Sequence, residues 1–300
     1  MNKKKKRKLK KGKLALIILA IVVLIILLLI GCVVGYALYA RNQVGNSNIL
    51  LIGVDVGESD SVYYRADSLM LINFNADESK VSMISIPRDT YTYVPCEEDY
   101  DKINHSYAFG QATNWCDGEF GGGVECTIDS VEKLFDIKEI DSFVQVDFEK
   151  IILLVDEFGG VEITPTSTFT EHYNGEYFNF TQGESVVMNG KMALTYARHR
   201  YTDTDTARAS RQQEVLLAMM SKIKSLNILE QIDLGKQILG QLTTNISEIE
   251  MLGYLTYLPN LTIEQTVLDG EDWYHPETGI YYYKPLDDSL NRIKNIIKQD

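Results

Sequence analysis

Residues 14–40 form the longest uncharged run in the chain, and no other feature constrains the fold as much. The run is 27 residues long, against about 20 needed to cross a bilayer. Its composition suits a helix that spans the membrane with some tilt. Residues 1–13 carry Arg7 and eight Lys and no acid. A basic flank on the N-terminal side places residues 1–13 in the cytoplasm and everything from Arg41 onward outside. Two processing signals compete with an uncleaved anchor. Gly35-Tyr36-Ala37 has the pattern of a signal-peptidase site, but the apolar run exceeds an ordinary h-region of about 7–15 residues. Leu29-Ile30-Gly31-Cys32 has the pattern of a lipobox, yet Val33 to Ala40 stays apolar where a processed lipoprotein turns polar. The uncleaved anchor fits better.

The part outside the membrane carries 20 basic and 42 acidic residues, a formal charge of −22. Such a surface repels nucleic acid, which is bound largely by neutralising phosphates. A 13-residue tail is also too short to fold into a DNA reader. Six of the eight Arg beyond the tail fall in three short stretches: Arg65, Arg88, and Arg198 to Arg211 with Arg200 and Arg208 between. An acidic domain that gathers its Arg in this way binds a specific anion, and Arg suits bidentate phosphate contacts.

Three apolar runs, Asn48 to Gly53, Ser68 to Phe74 and Val81 to Ile86, read as mostly buried strands, the last two joined by a polar turn over Asn75 to Lys80. Charges fall at their ends. Asp55 lies just past the first, Arg65-Ala-Asp67 opens the second and Pro87-Arg88-Asp89 closes the third. Strand ends are rigidly held yet reachable, and ligands of open sheets sit there. The competing reading is that Arg65 with Asp67 and Arg88 with Asp89 are surface ion pairs.

Further along, Asp101 to Gly110 reads as a helix start or a binding loop, and His105 within it as a structural hydrogen-bonder rather than a base. Cys96, Cys116 and Cys126 frame a Gly- and acid-rich loop; outside the membrane thiols pair, so one disulfide and one spare thiol are expected, with the pairing open. No zinc-ligand spacing is present. Thr127 to Phe135 reads as a helix capped by Thr or Asp near its start, Phe143 to Phe148 as a strand, Phe148 to Phe158 as a helix ending at Gly159-Gly160, and Val161 to Thr164 as a strand. This alternation predicts an α/β layered domain. Arg208-Ala-Ser-Arg211-Gln212-Gln213 leads into an apolar helix, with Arg208 and Gln212 on one face at a helix N-terminus suited to an oxyanion. Ile228 to Leu258 reads as helical, Gly270 to Tyr283 as an aromatic hairpin and Leu286 to Lys298 as a closing amphipathic helix. Residues 41–47 are a linker, and nothing marks a second domain within 48–300.

These pieces, in this order, resemble the LytR-CpsA-Psr family of membrane-anchored cell-wall enzymes. The resemblance rests on the basic tail and single span, Gly53-Val-Asp55, Arg65-x-Asp67-Ser68, Ser85-Ile-Pro-Arg-Asp89, Lys102-Ile-Asn-His105, Leu154-Val-Asp-x-x-Gly-Gly-Val161, Ala193-Leu-x-Tyr-x-Arg198-x-Arg200 and Arg208-x-x-Arg-Gln-Gln213. Each motif alone is weak; their order is specific. The resemblance implies a layered α-β-α domain with a central mixed sheet behind one transmembrane helix. It implies transfer of a glycopolymer, such as wall teichoic acid or capsule, from a polyprenyl-diphosphate carrier to a peptidoglycan hydroxyl, with polyprenyl phosphate leaving. Carried over by motif, Asp55 and Asp67 hold Mg²⁺, while Arg65, Arg88, Arg198, Arg200, Arg208 and Gln212 grip the diphosphate. Asp67 or Asp89 takes the acceptor proton, and Asp67, Arg88, Asp89, Arg198 and Arg208 form the catalytic group. This agrees with the chemistry, since phosphoryl transfer needs positioning and charge neutralisation. The rival expectations are a lipid-diphosphate-binding module without turnover and a membrane-bound regulator. Two departures stand out: Asp205-Thr-Ala-Arg208 lacks the glycines the family usually places before its second Arg pair, and the Cys96 to Cys126 insertion is unusually rich.

Overall fold

The computed structural model describes residues 24, 27, 28, 31–55, 64–117, 120–199 and 205–298. A helix over 31–41 (α1) leads into β1 (Ser47–Asp55), β2 (Arg65–Asn75), β3 (Lys80–Ile86), β4 (Tyr91–Val94) and β5 (Asp99–Lys102). Then come α2 (His105–Thr113), α3 (Gly122–Phe135), β6 (Ser142–Asp147), α4 (Phe148–Glu157), β7 (Val161–Ile163), β8 (Phe169–Tyr173), β9 (Glu176–Phe180) and β10 (Val186–Met188). The chain closes with α5 (Gly190–Arg198), α6 (Asp205–Ser225), α7 (Ile228–Gln241), β11 (Thr243–Thr244), α8 (Glu248–Tyr257), β12 (Thr262–Val267), β13 (Gly270–Tyr274), β14 (Tyr281–Pro285) and α9 (Asp287–Ile297).

The central sheet has the order β11-β6-β1-β2-β3-β12 and is mixed. β6 runs parallel to β1 and β12 parallel to β3, while the β1-β2-β3 meander and the β11 edge are antiparallel. Side chains alternate across a strand, and here both faces are apolar. Leu50, Ile52, Val54, Leu69, Leu71, Ile84 and Ile86 pack against α2, α3 and α9 through Tyr107, Val131, Phe135 and Ile293. Met70, Phe74, Val81 and Met83 face the other way, onto Leu216 of α6 and Tyr254 and Tyr257 of α8. Covering both faces makes the α-β-α layering, which is why these strands read as continuous apolar runs. A smaller cluster joins α4, α5 and β7 to β10 to one flank of α6 through Val161, Phe169, Phe180, Tyr196 and Val215.

The postulated span lies largely outside the described residues. Among those described, no helix is long and apolar enough to cross a membrane, and Val33, Tyr36, Leu38 and Tyr39 of α1 are exposed. The passage from the end of α1 into β1 is packed rather than loose. Ala40 and Val44 are buried, the Arg41 guanidinium lies 3.8 Å from the Tyr257 ring centroid, and Arg41 Nη1 donates to Thr256 O at 3.5 Å. Gly253 admits this contact, because a Cβ there would fall 2.5 Å from Ala40 O.

Two local expectations need correction. The helical run from Ile228 to Leu258 is broken at β11, where Thr243 and Thr244 pair with β6 and Asn245 Oδ1 accepts from Phe143 N at 2.9 Å. Ser247 and Glu250 then form a capping box that restarts the chain as α8. The helix expected from Thr127 begins at Gly122 instead, so neither Thr127 nor Asp129 caps it; Thr127 Oγ1 donates to Gly123 O at 2.7 Å. Small residues allow this early start, as α2 and α3 touch at Gly110 and Gly122, where a Cβ on Gly110 would lie 2.0 Å from Gly122 O.

The disulfide joins Cys96, just beyond β4, to Cys126 in α3, and Cys116 stays outside it. It closes a loop of 30 residues, which corresponds to about 3–4 kcal/mol of chain-entropy stabilisation. The Cys96→Ser, Cys126→Ser variant is therefore expected to lose stability by that amount and melt at lower temperature while keeping the strand-end groups in place. Thermal denaturation without reductant checks this.

Candidate active site

Topology brings the charged motifs together. β1 and β3 both run antiparallel to β2, so the C-terminal ends of β1 and β3 share one sheet edge with the N-terminal end of β2. Asp55 ends β1, Arg65 and Asp67 open β2, and Arg88 and Asp89 follow β3. β6 and β12, parallel to their neighbours, end on the same side.

A β-bulge decides how Asp67 and Ser68 point. Gly53 pairs with Ser68 and Val54 with Ala66, which leaves Asp67 as an extra residue in β2. In a regular strand the two side chains would face opposite ways; a bulge re-aims them. Ser68 Oγ donates to Gln212 Oε1 of α6 at 2.9 Å, and Asp67 Oδ1 accepts from Arg88 Nη1 at 3.0 Å and Asn104 Nδ2 at 3.4 Å. Gly53 is required beside the bulge, since a Cβ there would stand 2.8 Å from the Ser68 Cβ.

Arg88 sits between two carboxylates. Its Nε, buried and outside hydrogen-bond geometry, lies 3.4 Å from Asp89 Oδ2, and Lys102 Nζ lies 2.9 Å from Asp89 Oδ1. Asp89 is thus engaged on both oxygens. Asp67 directs both its hydrogen bonds to Oδ1, which leaves Oδ2 for an incoming group. Asn104 is buried, and its Oδ1 has no hydrogen-bond partner. A spare carboxylate oxygen beside a buried orphan acceptor is a donor set that fits a hard, oxygen-seeking cation such as Mg²⁺. Among the described residues no three His, Cys, Asp or Glu form a metal cage. A cation here would complete its shell with substrate oxygens and water.

The remaining cations come from α5 and α6. Arg198, the last residue of α5, places Nη2 at 3.8 Å from Asp55 Oδ2. Arg208 is buried in the first turn of α6. The glycine-free Asp205-Thr-Ala-Arg208 sequence is itself helical, as expected where no glycine weakens the turn. Arg65 is exposed at the opening of β2, in register with Asp55. Arg200 lies outside the described residues.

Arg211 plays a different part. It is the largest fully buried side chain among the described residues, donates through Nη2 to His199 O at 2.7 Å and lies over the Phe169 ring at 5.5 Å. It braces the α5-α6 junction. Beside it, Tyr196 donates to Glu214 Oε2 at 2.5 Å, and burial together with that carboxylate pushes the phenol up to about 12.

Four residues of this neighbourhood escape a reading of the sequence by residue type. Lys102, Asn104 and Gln213 lie in the motifs, but nothing in their spacing tells their roles. Gln213 is buried and donates through Nε2 to Ser85 Oγ at 2.9 Å and Thr266 O at 3.0 Å, pinning α6 across β3 and β12. His199, also buried, sets Nδ1 at 2.7 Å from Glu171 Oε2 and stacks on Phe169. His105 Nδ1 lies 2.7 Å from Asp101 Oδ2. Burial works against the Asp101 anion, but bonds from His105, the Lys102 amide and Tyr282 outweigh it and hold the carboxyl below its ordinary range.

A mixed α/β sheet that collects guanidiniums and carboxylates at the ends of its strands has the layout of the open-sheet class, whose ligands sit at strand ends. The sequence model of the LytR_cpsA_psr family matches residues 33–299, and the chain belongs to this family. It is 36% identical over 259 residues to the polyisoprenyl-teichoic acid–peptidoglycan teichoic acid transferase TagU of Bacillus licheniformis, a match covering 84% of this chain and 77% of the relative. With TagU of Bacillus subtilis it shares 34% identity over 263 residues, covering 86% and 79%. The crystal structure of Bacillus subtilis TagV superposes with a TM-score of 0.73 at 26% identity, covering 85% of this chain and 96% of that one. TagT solved with bound octaprenyl pyrophosphate lipid gives 0.63 at 27% identity, covering 85% and 89%.

Proposed function

We propose that this protein is a membrane-anchored, extracellular phosphotransferase. It moves a glycopolymer from a polyprenyl-diphosphate carrier to a peptidoglycan hydroxyl. The observation that carries the reading is the convergence of Asp55, Asp67, Arg88, Asp89 and Arg198 on one sheet edge, with Arg208 and Gln212 on the adjoining turns of α6. Relatives named as teichoic acid transferases, and one solved with octaprenyl pyrophosphate, support it.

In the proposed reaction an acceptor oxygen attacks the phosphorus that bears the glycan. The bond from that phosphorus to the bridging oxygen breaks, polyprenyl phosphate departs and a phosphodiester remains. Arg88, Arg198 and Arg208, with Arg65 and Arg200 nearby in sequence, bind the diphosphate oxygens and offset the charge that builds on the leaving phosphate. Asp55 and Asp67 would hold Mg²⁺, which when bound supplies positive charge beside the diphosphate. Asp89, held by Lys102 and Arg88 together, aims the Arg88 fork. The acceptor proton passes to a site carboxylate, Asp67 or Asp89. Gln212 and the bulge keep α6 in register with β2.

Incubating the purified chain with a labelled polyprenyl-diphosphate glycan, Mg²⁺ and peptidoglycan fragments tests the reading. Label should move to peptidoglycan as polyprenyl phosphate is released. Binding without release would favour a carrier-binding module instead. The same activity requires a C-terminal tag to be protease-accessible in intact, wall-stripped cells, because the basic tail orients the domain outward. A protected C-terminus would remove the proposed function.

A further inference from the structure

Next to the anion site, two β-ribbons bring together an aromatic face that none of the chemistry above uses. Tyr91 of the β4-β5 ribbon is its centre. It stacks on Tyr100 at 5.3 Å between centroids, lies 5.0 Å from Trp273 and meets Tyr282 edge-on at 4.9 Å. A lone two-stranded ribbon is marginal in water, so these contacts also hold the β4-β5 and β13-β14 ribbons to each other. Yet the face stays open to solvent, with Tyr100 54% exposed and in edge contact with Tyr93.

The face is continuous with the anion site. Lys102, whose Nζ lies 2.9 Å from Asp89 Oδ1, is also 5.4 Å and 5.8 Å from the Tyr281 and Tyr282 ring centroids. Tyr283 N donates to Asp89 O at 2.8 Å, so β14 is tied directly to the residue after Arg88. Its rim is acidic. Glu97, Glu98, Asp99, Asp101, Glu271 and Asp272 lie on the two ribbons or the turn joining β4 to β5, against Lys102 and Lys284.

We propose that this aromatic face binds uncharged pyranose rings of the acceptor glycan strand and presents its hydroxyl to the anion site; the inference rests on the transfer reaction proposed above. The C–H face of a pyranose carries slight positive charge and packs on the negative face of an aromatic ring. The rim carboxylates accept hydrogen bonds from sugar hydroxyls. The same carboxylates repel a phosphate-rich glycopolymer, which assigns the face to the acceptor rather than to the donor chain. The rings are held before binding, so little is lost in ordering them.

The experiment uses the full chain in detergent and chitohexaose, an oligomer of β-1,4-linked N-acetylglucosamine, as the probe. The chain's two Trp are Trp115 and Trp273, so the Trp115→Phe variant isolates the fluorescence of Trp273. Saturable change in that signal and saturable heat in calorimetry are expected. Tyr93→Ala combined with Tyr100→Ala, paired rings on this face, should weaken binding by about tenfold while octaprenyl diphosphate still binds. Arg88→Ala should weaken octaprenyl diphosphate binding by about tenfold to a hundredfold and leave chitohexaose binding intact. No saturable binding, an unchanged affinity in the double variant, or tighter binding of poly(glycerol phosphate) than of chitohexaose would each overturn the proposal. If the chain binds octaprenyl diphosphate while chitohexaose fails, the aromatic assignment falls and the transfer reading stands.

Discussion

Asp67→Asn is expected to lower the transfer rate by about a hundredfold or more, the scale seen when one preorganised electrostatic group is removed from a transition state, while the protein stays folded. The substitution keeps the side chain's shape and removes its charge. Arg88 Nη1 and Asn104 Nδ2 both reach Oδ1, so an amide in its place keeps one acceptor for them but offers an NH₂ where Oδ2 faces the incoming group. The Mg²⁺ dependence of the reaction should weaken in parallel, because a carboxylate is the better ligand for a hard cation. Arg88→Ala should instead weaken lipid-diphosphate binding by about 1.5–3 kcal/mol, the range for a hydrogen bond to a charged group. Arg88→Lys should recover only part of it, lacking the bidentate fork. A plain ion pair predicts something else. Asp67 and Arg88 side chains are 22% and 25% exposed, and such a pair contributes at most about 1 kcal/mol to stability. Melting temperature, lipid-diphosphate affinity and transfer rate measured on the three variants separate the readings, and normal transfer by Asp67→Asn would sink the site.

The largest loss of stability is expected from Arg211→Ala. The guanidinium is 1% exposed, donates to the buried His199 carbonyl and fills the space over Phe169 and Tyr196. Its removal leaves a cavity and takes a buried hydrogen bond from the His199 carbonyl, which together cost about 3–5 kcal/mol. Arg208, three residues earlier in the same motif, is assigned to the diphosphate. Thermal unfolding followed by circular dichroism should therefore show a sharp fall for Arg211→Ala. Unchanged melting with lost lipid-diphosphate binding would move Arg211 into the anion site.

Much of the architecture was legible because its causes are local. The apolar runs of β1 to β3, the Gly159-Gly160 exit after α4 and the amphipathic closing helix all follow from residues near one another in sequence. The Asn174-Gly175 turn joining β8 to β9, with φ of 48° and 83°, is of the same local kind, although the expectations from sequence did not include that hairpin. Where a distant strand intervened, local reading failed. The pairing of Thr243 and Thr244 with β6 interrupts a segment whose composition is otherwise helical.

By itself the sequence determined the basic tail and uncharged run, the α/β alternation, and which Asp and Arg fall at strand ends. Each of these is a property of neighbouring residues, set by period, charge and turn chemistry. Only the tertiary structure decided that Cys96 pairs with Cys126, that Arg211 braces the interior while Arg88 faces Asp67, and that Lys102 and Gln213 link separate elements. The bulge at Asp67 belongs there too, because it is a relation between two strands. Register, burial and pairing across more than a hundred residues, as between Gln213 and Ser85, arise when packed layers meet, and no stretch of sequence encodes them alone.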